Sequence, residues 1–276
     1  MSSLTFEQIA LLTEFGEADA WANFYLCAPP EFAEKYKLEA KRIGSVWVTM
    51  LPEMDVPFFN RIVGLGVGES ATESQLDDAV NILQTAGVKN YMAQICPTAQ
   101  PAHLAEWLKS RGFMKSYNWA KLYRGNEPAP SISTDLRIEQ IGREYADAFA
   151  EVALTAFEMP SELHPMLVGN IGKPGWHHYL GFDGEQPVTA SAMYVRNDTG
   201  WLGFGSTLAS HRKRGGQGAM FARRIDDGIK LGCKWFVTET GEDTPGNPNP
   251  SYHNMIRTGF KLAYQRPNYV HQSPVS

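Results

Sequence analysis

Cysteine is scarce in this chain: Cys27, Cys96 and Cys233 are the three in 276 residues. An odd number of widely spaced cysteines in apolar surroundings suits neither a disulfide framework nor a cysteine-based zinc site. It fits buried, reduced thiols in a cytoplasmic protein. No apolar run approaches the ~20 residues that a membrane-spanning helix needs. The N-terminal MSSLTFEQIALLTEFGEADAW carries acids and no basic region, so it does not read as a signal peptide. Basic residues are outnumbered, 25 Lys and Arg against 30 Asp and Glu, for a net charge of −5. That argues against a general nucleic-acid binder. Metal ligands are missing as well. His177 and His178 share an apolar run in which only one can face a pocket, and no third ligand stands at metal-like spacing. The expectation is a protein without metal, nucleic-acid or membrane partner.

Hydrophobic residues make up 43% of the chain, enough to bury a real core, and the length allows one large or two modest domains. Asn126 to Thr134, NEPAPSIST, reads as a linker. It separates an N-terminal part, 1–125, from a C-terminal part, 135–276. Three landmarks recur in the same order on either side. GLG at Gly64–Gly66 resembles GFG at Gly203–Gly205; Gly87 matches Gly232, and Gly112-Phe113 matches Gly259-Phe260. Such self-similarity suggests an internal duplication. The C-terminal half reads β-α-β-β-β-α-β-α-β, a mixed α/β layout with one parallel crossover. Asn249, Pro250 and Gly259 supply the cap, first position and stop of its last helix, and FKLAYQRPNYV closes its sheet. In the N-terminal half, Ser70 and Glu73 read as a capping box.

The halves differ at one place. Gly66 to Gly87 spans 21 residues and Gly205 to Gly232 spans 27. The longer interval holds SHRKRGGQGAMF, Ser210 to Phe221, a basic cluster before two glycines and a helix start. A strand, a glycine turn and a helix N-terminus make an anion site: the first helical amides lack internal partners, and the dipole favours negative charge. Basic side chains add charge-assisted contacts to phosphate. The stretch is neither a dinucleotide fingerprint nor a Walker loop. A solvated basic loop before an ordinary helix is the alternative.

The element order, and the segment STLASHRKRGGQGAMFARRIDDGIKLGCKWFVTET, resemble the Gcn5-related N-acetyltransferase (GNAT) family. The resemblance covers residues 134–270 well and the first 125 as a degenerate copy. It implies two tandem acyl-CoA N-acyltransferase folds of α/β (mixed α+β) class, each a mixed, mostly antiparallel sheet flanked by helices. It also implies acetyl-CoA as co-substrate and no metal. The family's turn R/Q-x-x-G-x-G/A, which cradles the pyrophosphate, maps onto Arg212-x-x-Gly215-x-Gln217, or one residue later onto Lys213-x-x-Gly216-x-Gly218. The contact is therefore assigned to Arg212, Lys213, Arg214, Gly215, Gly216, Gln217 and Gly218 together. Main-chain groups of Ser206, Thr207 and Leu208 are expected to pair with the pantetheine arm, and the strand at Phe236–Thr240 to splay away.

Direct transfer from the thioester to an amine needs alignment, a proton route and donors toward the oxyanion. The family's usual tyrosine acid is replaced by Met255. Tyr252 lies one turn earlier and is the substitute acid or a core aromatic. Asn254 binds pantetheine or holds the local turn. Glu239, late on the strand bordering the acetyl position, is the base, or it fixes the loop that follows. The expected function is acetylation of a small-molecule amine by a cytoplasmic monomer or homodimer, with no CoA in the N-terminal copy. A silent acyl-CoA sensor or interaction module, or a transferase for longer acyl chains, are the alternatives.

Overall fold

The computed structural model describes residues 4–54 and 56–272. The first half contains α1 (Phe6–Leu26), α2 (Pro30–Tyr36), β1 (Glu39–Ile43), β2 (Val46–Met50), β3 (Arg61–Val63), α3 (Glu73–Thr85), β4 (Asn90–Gln94), α4 (Leu104–Ser110) and β5 (Met114–Gly125). There follow β6 (Arg137–Ile141), α5 (Ala146–Phe157), α6 (His164–Gly169), β7 (Trp176–Asp183), β8 (Gln186–Arg196) and β9 (Thr199–Thr207). The chain ends with α7 (Gly216–Lys230), β10 (Trp235–Gly241), α8 (Pro250–Arg257) and β11 (Lys261–Gln272). The fold is mixed α+β and mostly antiparallel, as the sequence implies.

The chain divides into two compact units. Unit 1 is Met1–Lys121 with Ala263–Ser276, and unit 2 is Leu122–Leu262. This corrects one expectation: β11 does not close the sheet of the C-terminal half. From Ala263 it belongs to unit 1, where it pairs antiparallel with β4, Asn268 opposite Gln94 and Val270 opposite Met92. Buried polar chemistry explains the choice. Arg266 donates to Glu14 at 2.9 Å and forms an ion pair with Glu17 at 2.6 Å; Tyr264 donates to Glu14 at 2.6 Å. Such groups are tolerated without water only when partnered, and their partners sit on α1.

In unit 1 the strand order is β1-β2-β3-β4-β11. β3 and β4 are parallel and α3 is their crossover. Leu76, Ala79 and Leu83 on one stripe of α3 are buried in a core with Val46, Val48, Ile62 and Ala93, the period expected of an amphipathic helix. The cap of α3 also differs from the expected one. Thr72, not Ser70, accepts from the Gln75 amide, and the Gln75 side chain accepts from the Thr72 amide.

In unit 2 the order is β6-β7-β8-β9-β10, antiparallel except for β9 with β10. Tight turns join β7 to β8 and β8 to β9, with Gly184 and Asn197 at φ 57° and 54°. α5 and α7 both pack on β8 and β9, on opposite faces. Trp176 and His178 face Phe149 of α5, whereas Gly200 and Gly228 of α7 meet across the Phe236 ring. Alternation of side chains along a strand separates the two sets. Asn249 caps α8 by accepting from the Ser251 and Tyr252 amides, with Pro250 first in the helix.

Candidate functional site

β9 and β10 run side by side for only three residue pairs, Thr199–Trp235, Gly200–Phe236 and Trp201–Val237. The next link is made by a side chain, Thr238 Oγ1 donating to Leu202 O at 2.7 Å. Beyond it no ladder pair joins the two strands. The cause lies on the other side of β9. Ala190 faces Ser206 but Ala192 faces Gly203, so β9 holds one residue more than β8 at this point. Phe204, within the bulge, has φ 55°. A bulge bends its strand and increases twist, which turns β9 away from β10. The glycines of GFG are what permit it. A Cβ on Gly203 would stand 1.9 Å from the Trp201 ring. Sequence reading missed the bulge, although paired glycines inside a strand are its usual sign.

After Thr207 the chain makes one 3₁₀ turn, extends at Arg212, passes Lys213 at φ 67° and reaches Gly215 at φ 78°, the N-cap of α7. The helix thus starts in the frame Arg212-x-x-Gly215-x-Gln217. No side chain caps it, so no side-chain acceptor answers the first amides at the positive end of this 15-residue dipole, and Gly216 and Gly218 there are themselves buried. The glycines here also have a packing cause. A Cβ on Gly215 would lie 2.2 Å from Ser133 O, and one on Gly216 2.9 Å from Leu136. The segment 132–136 lies against the turn, pinned by Thr134 Oγ1 donating to Arg214 O at 2.7 Å.

The basic cluster separates into two sets. Arg214 pairs with Asp183 at 2.6 Å and Asp135 at 2.5 Å, and those bonds raise its pKa further above the usual value. His211 lies 3.3 Å from the same Asp183. Arg212 and Lys213 remain exposed; Arg212 donates to Thr207 O at 3.3 Å. Leu208 follows β9 directly. Its amide donates to Val188 O at 3.0 Å and its carbonyl accepts from the His211 amide at 2.9 Å, so both main-chain groups are engaged. Ser206 and Thr207 lie on the stretch of β9 released from β10.

α7 and α8 are tied across their facing sides by Gln217, which donates to Ser251 Oγ at 2.9 Å and accepts from Asn254 Nδ2 at 2.5 Å. Asn254 thereby serves the local structure, and its own oxygen accepts from Arg257 at 2.8 Å. Tyr252 is half-buried and Met255 buried. On the other face of β9, Trp201 Nε1 donates to both oxygens of Glu239, at 3.0 and 3.2 Å. Trp176 and Phe204 both stand edge-on to that indole and are tilted against each other. His178 is buried beneath them, and burial, then the charge of His177, pushes it down to about 3, so it is neutral at physiological pH. Among the described residues no three His, Cys, Asp or Glu gather to hold a metal, and no helix is long and apolar enough to cross a membrane.

One residue absent from sequence reasoning stands out. Arg224 of α7 is 1% exposed. It donates to Met220 O at 3.1 Å and to the bulge carbonyls of Ala192 and Gly203 at 2.9 and 3.2 Å, while its Nη2 has no partner. Its signal was a second arginine in an amphipathic helix, indistinguishable by type from its exposed-side neighbour Arg223.

No family model matches the sequence, and neither does any curated protein. Solved structures do. A GCN5-related N-acetyltransferase from Sphaerobacter thermophilus superposes with a TM-score of 0.62 at 11% identity, covering 96% of this chain and 93% of its own. One from Kribbella flavida gives 0.59 at 16% identity, covering 95% and 97%. A tandem GNAT protein from the clavulanic acid biosynthesis pathway, without acetyl-CoA, gives 0.58 at 14% identity, covering 98% and 95%. The similarity spans nearly the whole of each chain, and the chain has the fold of the GCN5-related N-acetyltransferases.

Proposed function

We propose that this protein is an acetyl-CoA-dependent N-acetyltransferase for a small-molecule amine, with one donor site, in unit 2. One observation carries the reading: the uncapped, glycine-bearing start of α7 lies next to the stretch of β9 that has parted from β10. A diphosphate suits the first; an extended chain bearing amides suits the second, because an unpaired strand edge binds such a chain by main-chain hydrogen bonds.

In this reading the amides of Gly216 to Gly218, with Arg212 and Lys213, hold the diphosphate. Ser206 and Thr207 align the arm. Arg214 is a brace for the turn rather than a ligand. Glu239, held by the Trp201 indole, takes the proton that the attacking amine loses as its nitrogen bonds to the acetyl carbon and the carbon–sulfur bond breaks. Unit 1 carries no donor site: its α3 is capped, and Gln100 occupies the strand edge, bonded to Gly66 O and the Ala71 amide at 2.9 and 2.8 Å.

Titration calorimetry with acetyl-CoA, then thiol release with a panel of small amines, tests this. One molecule bound per chain and amine-dependent release are expected. No binding sinks the reading. Binding without release by any amine favours a silent acyl-CoA sensor, a second reading prompted by buried Met255, which cannot donate a proton. Greater turnover with a longer acyl-CoA revises the donor. Glu239→Gln is expected to lower kcat about a hundredfold with little change in KM for acetyl-CoA.

A further inference from the structure

We propose that Arg224 is the electrostatic partner of the sulfur that leaves in the transfer, stabilising it as a thiolate so that no proton donor is required. The proposal rests on the acetyltransferase reading above.

Three observations support it. First, Arg224 is a buried cation that stands 4.7 Å from the Phe221 ring centroid and, among the described residues, has no carboxylate partner. Its three hydrogen bonds go to carbonyls, its Nη2 has none, and the ionisable group that faces it is the Tyr179 phenol of β7, itself kept protonated by burial. A cation kept dry without a counterion costs several kcal/mol unless something compensates it. Burial lowers its guanidinium to about 9, which leaves it charged at neutral pH.

Second, its depth is right. From Gly216 to Arg224 the helix advances about 12 Å at its usual rise. From Thr207 back to Gly203, whose carbonyl Arg224 holds, the strand runs about 13 Å. A donor with its diphosphate at the start of α7 and its arm laid back along β9 brings its reactive end to this level. The unpartnered Nη2 lies 4.0 Å from where a Cβ of Gly205 would stand, with Gln217 Nε2 at 3.9 Å from the same point. Gly205 therefore leaves the space between the strand and these two donors unfilled by a side chain.

Third, the transfer balances without a proton donor at the sulfur. When the tetrahedral adduct collapses, the electron pair of the carbon–sulfur bond goes to sulfur and the amine proton goes to Glu239. Sulfur departs as an anion, and a fixed cation in a dry site stabilises that charge without reorganisation. The thiolate takes its proton from solvent after release.

The test begins on the unmodified protein. The thiol of bound CoA is titrated by its ultraviolet thiolate absorbance, and the affinities of CoA and of desulfo-CoA are compared from pH 6 to 9. The expected result is a thiolate fraction at neutral pH about tenfold above that of free CoA, with CoA gaining on desulfo-CoA as pH rises. Arg224→Lys should keep part of this shift and Arg224→Met should abolish it. Both should lower kcat, by about tenfold and a hundredfold, with KM for acetyl-CoA within about threefold. CoA bound with an unshifted thiol overturns the role of Arg224 and leaves acetyl transfer standing; failure of CoA to bind overturns both. Should the substitutions prevent folding, the titration of the unmodified protein still decides.

Discussion

α3 and α7 occupy matching places in the two units, each following a strand that ends in closely spaced glycines. Their first turns are built to opposite ends. α3 begins at Thr72 with a reciprocal capping box, so its first amides are answered from within the chain. α7 begins at Gly215 with no side-chain cap. The neighbouring strands differ likewise. Beside β3, Gln100 bonds to Gly66 O, and a Cβ on Gly66 would stand 2.4 Å from the Gln100 carbonyl. Beside β9, the ladder with β10 ends at Trp201–Val237, just before the bulge at Phe204.

Buried charge sharpens the contrast. In unit 1, Glu17 is fully buried and answered by Arg61, Lys121 and Arg266 at 2.9, 2.6 and 2.6 Å. Burial raises the carboxyl's pKa, but the three cations outweigh it and hold it well below the ordinary range. In unit 2, Arg224 is as deeply buried and has no carboxylate partner. Each network leaves guanidinium nitrogens without partners, so the difference lies in the carboxylates: unit 1 answers its buried cations with Glu14 and Glu17, and Arg224 bonds to carbonyls.

The largest expected effect is on the closed network. Glu17→Gln leaves three buried cations short of one charge and should cost about 3–5 kcal/mol in chemical denaturation. Because the folded-state pKa of Glu17 is depressed, its contribution is complete above the unfolded value and is lost only as pH falls through the folded one. The gap between wild type and variant should therefore persist at pH 5 and close only in strong acid. A variant as stable as wild type would break the contrast.

At the donor turn, Arg212→Ala and Lys213→Ala should each raise KM for acetyl-CoA about tenfold. Arg214→Ala should change KM less and lower Tm, since its guanidinium already serves Asp135 and Asp183. The reverse ranking would place Arg214 on the ligand. Thr72→Ala should cost about 1 kcal/mol of stability, while calorimetry still finds one acetyl-CoA per chain; a second bound molecule would mean that the cap alone had closed unit 1. The smallest effect is expected for Gln217→Ala. Freeing α7 from Ser251 and Asn254 should lower KM for acetyl-CoA about threefold, whereas a rise would make Gln217 a ligand.

Much of this was legible because local rules coincide with the fold. The α7 and α8 boundaries follow from Gly215, Asn249, Pro250 and Gly259, whose turn and cap chemistry needs no distant partner. The six-residue difference between the halves marked the turn that leads into α7. What was not legible depends on distant partners. That Arg214 meets Asp135 and Asp183, 79 and 31 residues away, could not be read from the sequence. Nor could the packing of Ser133 and Leu136 against Gly215 and Gly216. Ser70 was a reasonable cap by residue type, but the helix began two residues later.

By itself the sequence determined the element order, the matching landmarks of the two halves and the place of a basic glycine turn before a helix. These follow from periodicity, capping and steric freedom, which act over a few residues. Only the tertiary structure decided that β11 joins unit 1, that β9 bulges and parts from β10, and that Arg224 is buried without a carboxylate. The strand choice and the Arg224 contacts are settled by which polar groups meet when water is removed, and the bulge by how β8 and β9 pair; such partners meet only once the chain has folded.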